Sequence, residues 1–437
     1  MFVALGLLLG LIALASVTLF ADGGFLPLLL PFLAAGGLFA IALKMPPFEA
    51  QRFGALVRPL VIGAAIPALL MLLQMAPAPS GLAHPVWASV RAGFSAPVAG
   101  SISVDIGATA LALLRYLTLI GAMLLATAAT INRDRAEAVL IALTAATTAI
   151  SLAQLAAEIM GAPHTPFREE AFDCACLGVI LSAACACFVF ERHETRRAKL
   201  GLRDAKFVYP MAASLAALLI CAAAVGTARS GSLIFAACCG LGMFCAVFLV
   251  RRLNLGRWGA AAIGVTASVI VIALVTGAAG TNPDPRLAFV KKDPVTLELT
   301  QRILADAPFF GDGAGAFSSI LPIYEFGDFD AKEPNAVTAA AKLSIEMGRA
   351  ALWAAVIAAA LAVVALLRAS VLRGRDSFYP AAAASCLVSL IVLAFIHVSL
   401  FGATLPVLAV IILGLGIAQS QGRSAAPRRD PAAFPPA

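Results

Sequence analysis

The side chains best suited to chemistry gather in one polar stretch, Gly280 to Arg349, within a chain that is otherwise a succession of apolar runs. Arg286, Lys291 and Lys292 form a basic cluster able to hold a phosphate-bearing headgroup, and Arg302 follows on the next predicted helix. Gly311, Gly313 and Gly315 alternate in APFFGDGAGAFSSI. Glycines so spaced permit close backbone approach to a ligand. They match neither a dinucleotide fingerprint nor a phosphate loop, because the preceding strand and the Lys-Ser/Thr pair are missing. An acidic group, Asp328, Asp330 and Glu333, supplies carboxylates of the kind that accept protons.

Two arginines in or beside apolar runs add to this set, since a charge at membrane depth is costly and asks for a reason. Arg115 lies inside LALLRYLTL, and Arg229 lies in the turn TARSGSL. A guanidinium at such a turn can give a diphosphate two parallel hydrogen bonds, a geometry that lysine lacks. Glu158 and His397, near the ends of apolar runs, read instead as interfacial residues with partners rather than proton relays.

The elements that must position these groups follow from composition. Of 437 residues, 61% are hydrophobic and 13% charged, with a mean hydropathy of +0.96, so most of the chain requires lipid as its solvent. Apolar stretches predict an all-α integral membrane protein of about 12 transmembrane helices. They fall near Phe2–Phe20, Phe25–Leu43, Pro59–Met75, Ala108–Ala129, Ala136–Met160, Ala171–Phe190, Phe207–Thr227, Ser232–Val250, Trp258–Ala279, Ala350–Leu367, Tyr379–His397 and Ala403–Ala418. The first is not read as a removable signal, because it has no basic start and a second span follows closely. With a cytoplasmic N-terminus, most of the 31 basic residues fall in connections on the inner side, among them Arg133, Arg135, Arg192, Arg251 and Arg373. The net charge of +7 is thereby explained by topology, and no nucleic-acid partner is implied. The organisation is a bundle of nine helices over 1–279, a large outside loop over 280–349 with short amphipathic helices, three helices over 350–418, and a Pro/Ala-rich cytoplasmic tail over 419–437 expected to be disordered.

A smaller outside connection, Ala76 to Asp105, carries Trp87 and Phe94 as candidates for the membrane interface and His84 as a solvated loop residue. The nine cysteines sit mostly in apolar runs and lack zinc spacing, so they read as small helix-packing residues, and no metal is expected.

The order of motifs adds a further level. A T-x-R-S-G turn carries Arg229 and Gly231. It is followed by Asp306, Pro308, Gly311, Gly313, Gly315 and Phe317 in the large loop, by Asn335, and then by Glu346 and Gly348 before the next span. This arrangement resembles the O-antigen ligase and polymerase superfamily of bacterial envelope polysaccharide enzymes, in motif over the C-terminal half and in topology over the whole chain. The resemblance implies a GT-C-like inner-membrane glycosyltransferase, inverting and metal-independent, without cofactor, that polymerises or ligates an undecaprenyl-diphosphate-linked glycan onto a glycan or lipid acceptor on the periplasmic face, alongside polysaccharide-assembly proteins. By that pattern Arg229 takes the donor diphosphate with Lys291, Lys292, Arg302 and Arg115, and the glycines and Glu346 shape the loop. A His commonly precedes the Asn in the family. Here Pro334 stands there, so Glu333 is the nearest candidate to orient or deprotonate the acceptor hydroxyl, with Asp328 and Asp330 as alternatives. Asp328-Phe329-Asp330 also looks like the metal motif of nucleotide-sugar enzymes, but those substrates are cytoplasmic and a solvated turn fits better. The missing His disfavours ligation to a lipid core and leaves a non-catalytic relative open. A lipid-linked glycan flippase is the other class, against which stand the absence of an internal repeat and the asymmetric loop.

Overall fold

In the computed structural model, residues 1–20, 25–79, 81–94, 99–161, 168–200, 207–253, 284–287, 294–324, 337–372 and 376–420 are described. Apolar runs become helices: α1 Phe2–Thr18, α2 Leu30–Lys44, α3 Pro47–Met75, which keeps Pro59 and Pro67 in its interior, α5 Ile106–Ala129, α6 Arg133–Ile159, α7 Arg168–Leu200, α8 Val208–Thr227, α9 Gly231–Arg252, α13 Arg349–Leu372, α14 Phe378–Ala394 and α15 Leu405–Ala418. Short helices lie between them: α4 Val86–Phe94, α10 Pro294–Asp306, α11 Phe317–Tyr324 and α12 Ala339–Met347. Among the described residues, eight helices are long and apolar enough to cross a membrane, and α1, α14 and α15 are shorter apolar helices. The predicted span 258–279 lies outside the described residues.

Helices with exposed apolar flanks surround α7, in whose apolar window 78% of residues are buried against 50% or less in the other seven long apolar helices. It packs on α6, α8, α9 and α14, while α15 packs on α5, and α1 on α2. Small residues let these backbones approach. A Cβ added to Gly178 of α7 would lie 2.6 Å from Cys221 Sγ of α8, and one on Gly414 of α15 would lie 2.7 Å from the Met123 carbonyl of α5. All nine cysteines are free thiols, and most are buried in such contacts.

The two ends of the bundle differ in chemistry. At one end, loop-facing charges pair across helices: Arg135 with Glu49 at 2.6 Å, Arg133 with Asp376 at 2.9 Å, Arg192 with Glu137, and Arg251 with Glu191 at 3.9 Å. Gln419 closes this end by donating to the Thr130 carbonyl at 2.6 Å. At the opposite end lie the described residues of 76–105 and of 284–348 and the 395–404 turn, joined by the bonds described below. The chain leaves α9 at the paired-charge end and is next described at the loop end, at Asp284.

Candidate functional site at the loop end

The glycine segment is built by backbone demands. Gly311, Gly313 and Gly315 have φ of 72°, 114° and 78°, values that a side chain disfavours. A Cβ at Gly311 would collide with the Glu346 carbonyl, one at Gly313 would lie 2.7 Å from Ser103 Cβ, and one at Gly315 would lie 2.8 Å from the Ala108 carbonyl. The close approach is therefore to the chain's own α12, 76–105 connection and α5, where the sequence suggested a ligand. Amides of Asp312 and Gly313 donate to the carbonyls of Ile345 and Glu346 at 2.9 and 3.1 Å, and Val104 N donates to the Asp312 carbonyl at 2.9 Å.

Gln74, in the last turn of α3 and fully buried, clips this assembly. Its Nε2 donates to the carbonyls of Phe310 at 2.9 Å and Glu346 at 3.0 Å, and its Oε1 accepts from Ala314 N at 3.1 Å. Asp105 caps α5 by accepting from Ala108 N at 2.9 Å and also accepts from Ser319 Oγ of α11 at 2.9 Å. These bonds, that to Ala108 first, hold its carboxyl below the usual value. His84 is not a solvated loop residue: its Nε2 lies 3.4 Å from Asp312 Oδ1, and its Nδ1 accepts from Val86 N at 3.3 Å. Trp87 belongs to the same seam, with Nε1 donating to the Ser103 carbonyl at 3.0 Å.

On α12, Thr338 caps the helix by accepting from Ala341 N at 3.0 Å. One and two turns along stand Lys342 and Glu346. Glu346 is 2% exposed, and the backbone N–H groups of Gly315 and Phe317, at the start of α11, face its carboxylate. Its Oε1 has no hydrogen-bond partner and lies 4.0 Å from Lys342 Nζ. Burial pushes the Glu346 carboxyl up, against the pull of Lys342 and the two amides. Burial pushes Lys342 down, opposed by Glu346 and reinforced by Arg115. Arg115 acts on both groups from α5, where neighbouring Ala112, Leu113 and Tyr116 pack with Leu343 and Met347 of α12.

Lys342 Nζ sits 4.9 Å from the centre of the Phe401 ring. Phe401 in turn lines a cavity of about 320 Å³ whose wall, from Ala339 and Leu343 of α12 down Leu352, Ala355 and Ala359 of α13 to Leu387 and Leu413, is almost wholly apolar. A cation thus stands against the wall of an apolar groove, an arrangement suited to an amphiphile with an anionic head.

Of the residues singled out from the sequence, Arg115, Glu346 and the three glycines come together here. Arg302 does not: it pairs with Glu298 at 2.7 Å on the exposed face of α10. Arg286 is likewise engaged, with Asp284 at 2.5 Å and Ser344 Oγ at 2.9 Å, and is not an open phosphate ligand. Arg229 is exposed in the turn between α8 and α9, with no pairing to a described side chain, and holds a left-handed φ of 50°. Lys291, Lys292, Asp328, Asp330, Glu333 and Asn335 lie outside the described residues. Gln74 and Lys342 escaped sequence reading, although a lone amide ending an apolar run, MLLQM, is the signal that a buried partner exists. The chain matches no protein-family model, no curated protein and no solved structure.

Proposed function

We propose that this chain is an inner-membrane glycosyltransferase that polymerises or ligates an undecaprenyl-diphosphate-linked glycan in exopolysaccharide or O-antigen assembly, with the loop end facing the periplasm. The observation that carries this reading is Lys342, 4.0 Å from the buried Glu346 carboxylate and set over Phe401 in the wall of the apolar groove. A diphosphate on a hydrocarbon chain needs cations at a dry edge and an apolar channel below them, and charge accumulating on the leaving diphosphate is stabilised by cations already in place. The motif order supports the same reading, as does the separation of a paired basic end from a loop end, which accords with twelve spans and both termini cytoplasmic. Arg229 keeps its proposed role as a diphosphate fork, because a non-glycine residue held at left-handed φ is a cost that function can explain. Lys291, Lys292, Glu333 and Asn335 remain candidates on sequence grounds alone.

The test is transfer by the purified full-length protein from a polyprenyl-diphosphate-linked oligosaccharide. Lys342→Gln and Arg115→Gln are expected to raise the donor KM and lower turnover. Unchanged donor KM and turnover in both variants would remove the site. A reporter fused at Ala314 and active only in the cytoplasm would remove the topology.

A further inference from the structure

Toward the paired-charge end, α6, α7 and α8 pack on one another and enclose a second cavity, of about 620 Å³, separate from the loop-end groove. Its lining follows one face of α6 through Glu137, Ile141, Ala145, Ala149 and Leu152, at the three- and four-residue spacing of a helix. From Glu137 to Leu152 is about 22 Å at about 1.5 Å per residue, more than half of a hydrocarbon core about 30 Å thick, so a chain belonging to one leaflet fits its length. The base is buried, in Thr144, Cys185, Phe188, Ser214 and Ala217, whereas Ile141, Ala145, Ala149 and Leu152 are exposed, so the cavity is a groove open on the flank of the bundle. Thr144, Thr148 and Ser214 donate their hydroxyls to the carbonyls of Leu140, Thr144 and Pro210 at 2.9, 2.7 and 2.9 Å, which spends their polarity inside their own helices.

The end of the groove is different in kind. Arg192 Nη1 donates to Glu137 Oε1, and the guanidinium carbon lies 5.1 Å from the centre of the Phe188 ring, with the side chain 41% exposed. Glu137 and Phe188 hold the guanidinium in place, and its Nε–Nη2 edge can give a phosphate two parallel hydrogen bonds. His193 beside it stacks on Phe207, with ring centroids 4.1 Å apart. Glu137 offsets one positive charge, but the sequence supplies a surplus: residues 195–206, TRRAKLGLRDAK, carry five basic residues against one acid. A polybasic stretch next to a helix end draws anionic headgroups.

We propose that this groove binds an anionic phospholipid of the leaflet met by the paired-charge end, with one acyl chain along α6 between α7 and α8 and the phosphate on Arg192. A zwitterionic phospholipid has the same chains and phosphate but brings a cation into basic surroundings, so the site discriminates by headgroup charge. The lipid is bound whether or not the chain transfers sugars.

The experiment titrates phosphatidylglycerol and phosphatidylcholine of identical acyl chains onto the purified full-length protein in detergent and counts bound lipid by native mass spectrometry. One phosphatidylglycerol is expected to bind at least about tenfold more tightly than phosphatidylcholine. Arg192→Gln is expected to weaken it about fivefold. Ala145→Trp fills the groove from its exposed rim and is expected to abolish this binding while leaving the melting temperature of the lipid-free protein unchanged. Ala216→Trp, exposed on α8 outside the groove, is expected to keep it. Equal affinity for the two lipids, or tight phosphatidylglycerol retained in Ala145→Trp, would overturn the proposal. A lower melting temperature in lipid-free Ala145→Trp would also overturn it, because part of the chain itself would then fill the groove.

Discussion

Gln74 and Glu346 lie 272 residues apart in the chain, yet the side-chain Nε2 of the first donates to the backbone carbonyl of the second at 3.0 Å. With its bonds to Phe310 and Ala314, this one amide holds α3, the glycine segment and α12 together. Gln74→Leu fills the space but strands the Phe310 carbonyl and the Ala314 N–H, while the Glu346 carbonyl keeps only the Gly313 amide. A cost of about 2–4 kcal/mol is expected, since each buried polar group stranded costs about 1–3 kcal/mol. Thermal unfolding of the solubilised protein measures it, and a variant as stable as the parent would mean that water replaces the amide.

Alanine substitutions grade the glycines. Gly311→Ala and Gly348→Ala set a Cβ against the carbonyls of Glu346 and Phe309 at positive φ, and each is expected to destabilise by more than about 1–2 kcal/mol. Gly63→Ala, with nothing within 4 Å inside a helix, is expected to leave the melting temperature unchanged or slightly raised. Equal effects at all three positions would contradict the packing at the loop end.

Glu346 gives stability a pH dependence of defined sign. Its carboxyl is raised from 4.5 by burial, so the protonated form is favoured in the fold. Its contribution is fully present below 4.5 and is lost as pH rises through the raised value. Melts from that pH toward neutrality should therefore show a downward component in the parent that Glu346→Gln lacks. Parallel curves would show that Lys342 and the amides of Gly315 and Phe317 offset the burial.

Arg229 sets stability against function. Arg229→Gly relieves the left-handed backbone and is expected to stabilise the fold by about 0.5–1 kcal/mol. The same variant, and Arg229→Lys, should lose transfer from a lipid-diphosphate donor. A more stable variant with full transfer would leave the residue without a role in binding.

The helices were legible because an apolar run has few alternatives in lipid: α1–α3, α5–α9 and α13–α15 fall where the runs do. The alternation of Gly311, Gly313 and Gly315 was also legible as a demand of the backbone. What each glycine faces was not, because Ser103, Ala108 and Glu346 are remote in sequence and no local pattern pairs them. His84 shows the same limit. Read alone, it is a loop histidine beside a proline, and only the fold brings Asp312 to it. Arg302 and Arg286 read as available cations because their partners, Glu298, Asp284 and Ser344, are polar residues common in any loop.

The long reach of the Gln74 bonds also dictates an order of events at the ribosome. Helix α3 enters the membrane early, yet every group its carboxamide satisfies belongs to residues 310–346, which emerge after most of the bundle has been inserted. Until then the amide must borrow water or passing carbonyls near the bilayer surface. The helices can thus gather before the loop end is closed, so a nascent chain stopped before Gly311 would be inserted with its α3 carboxamide still waiting for partners.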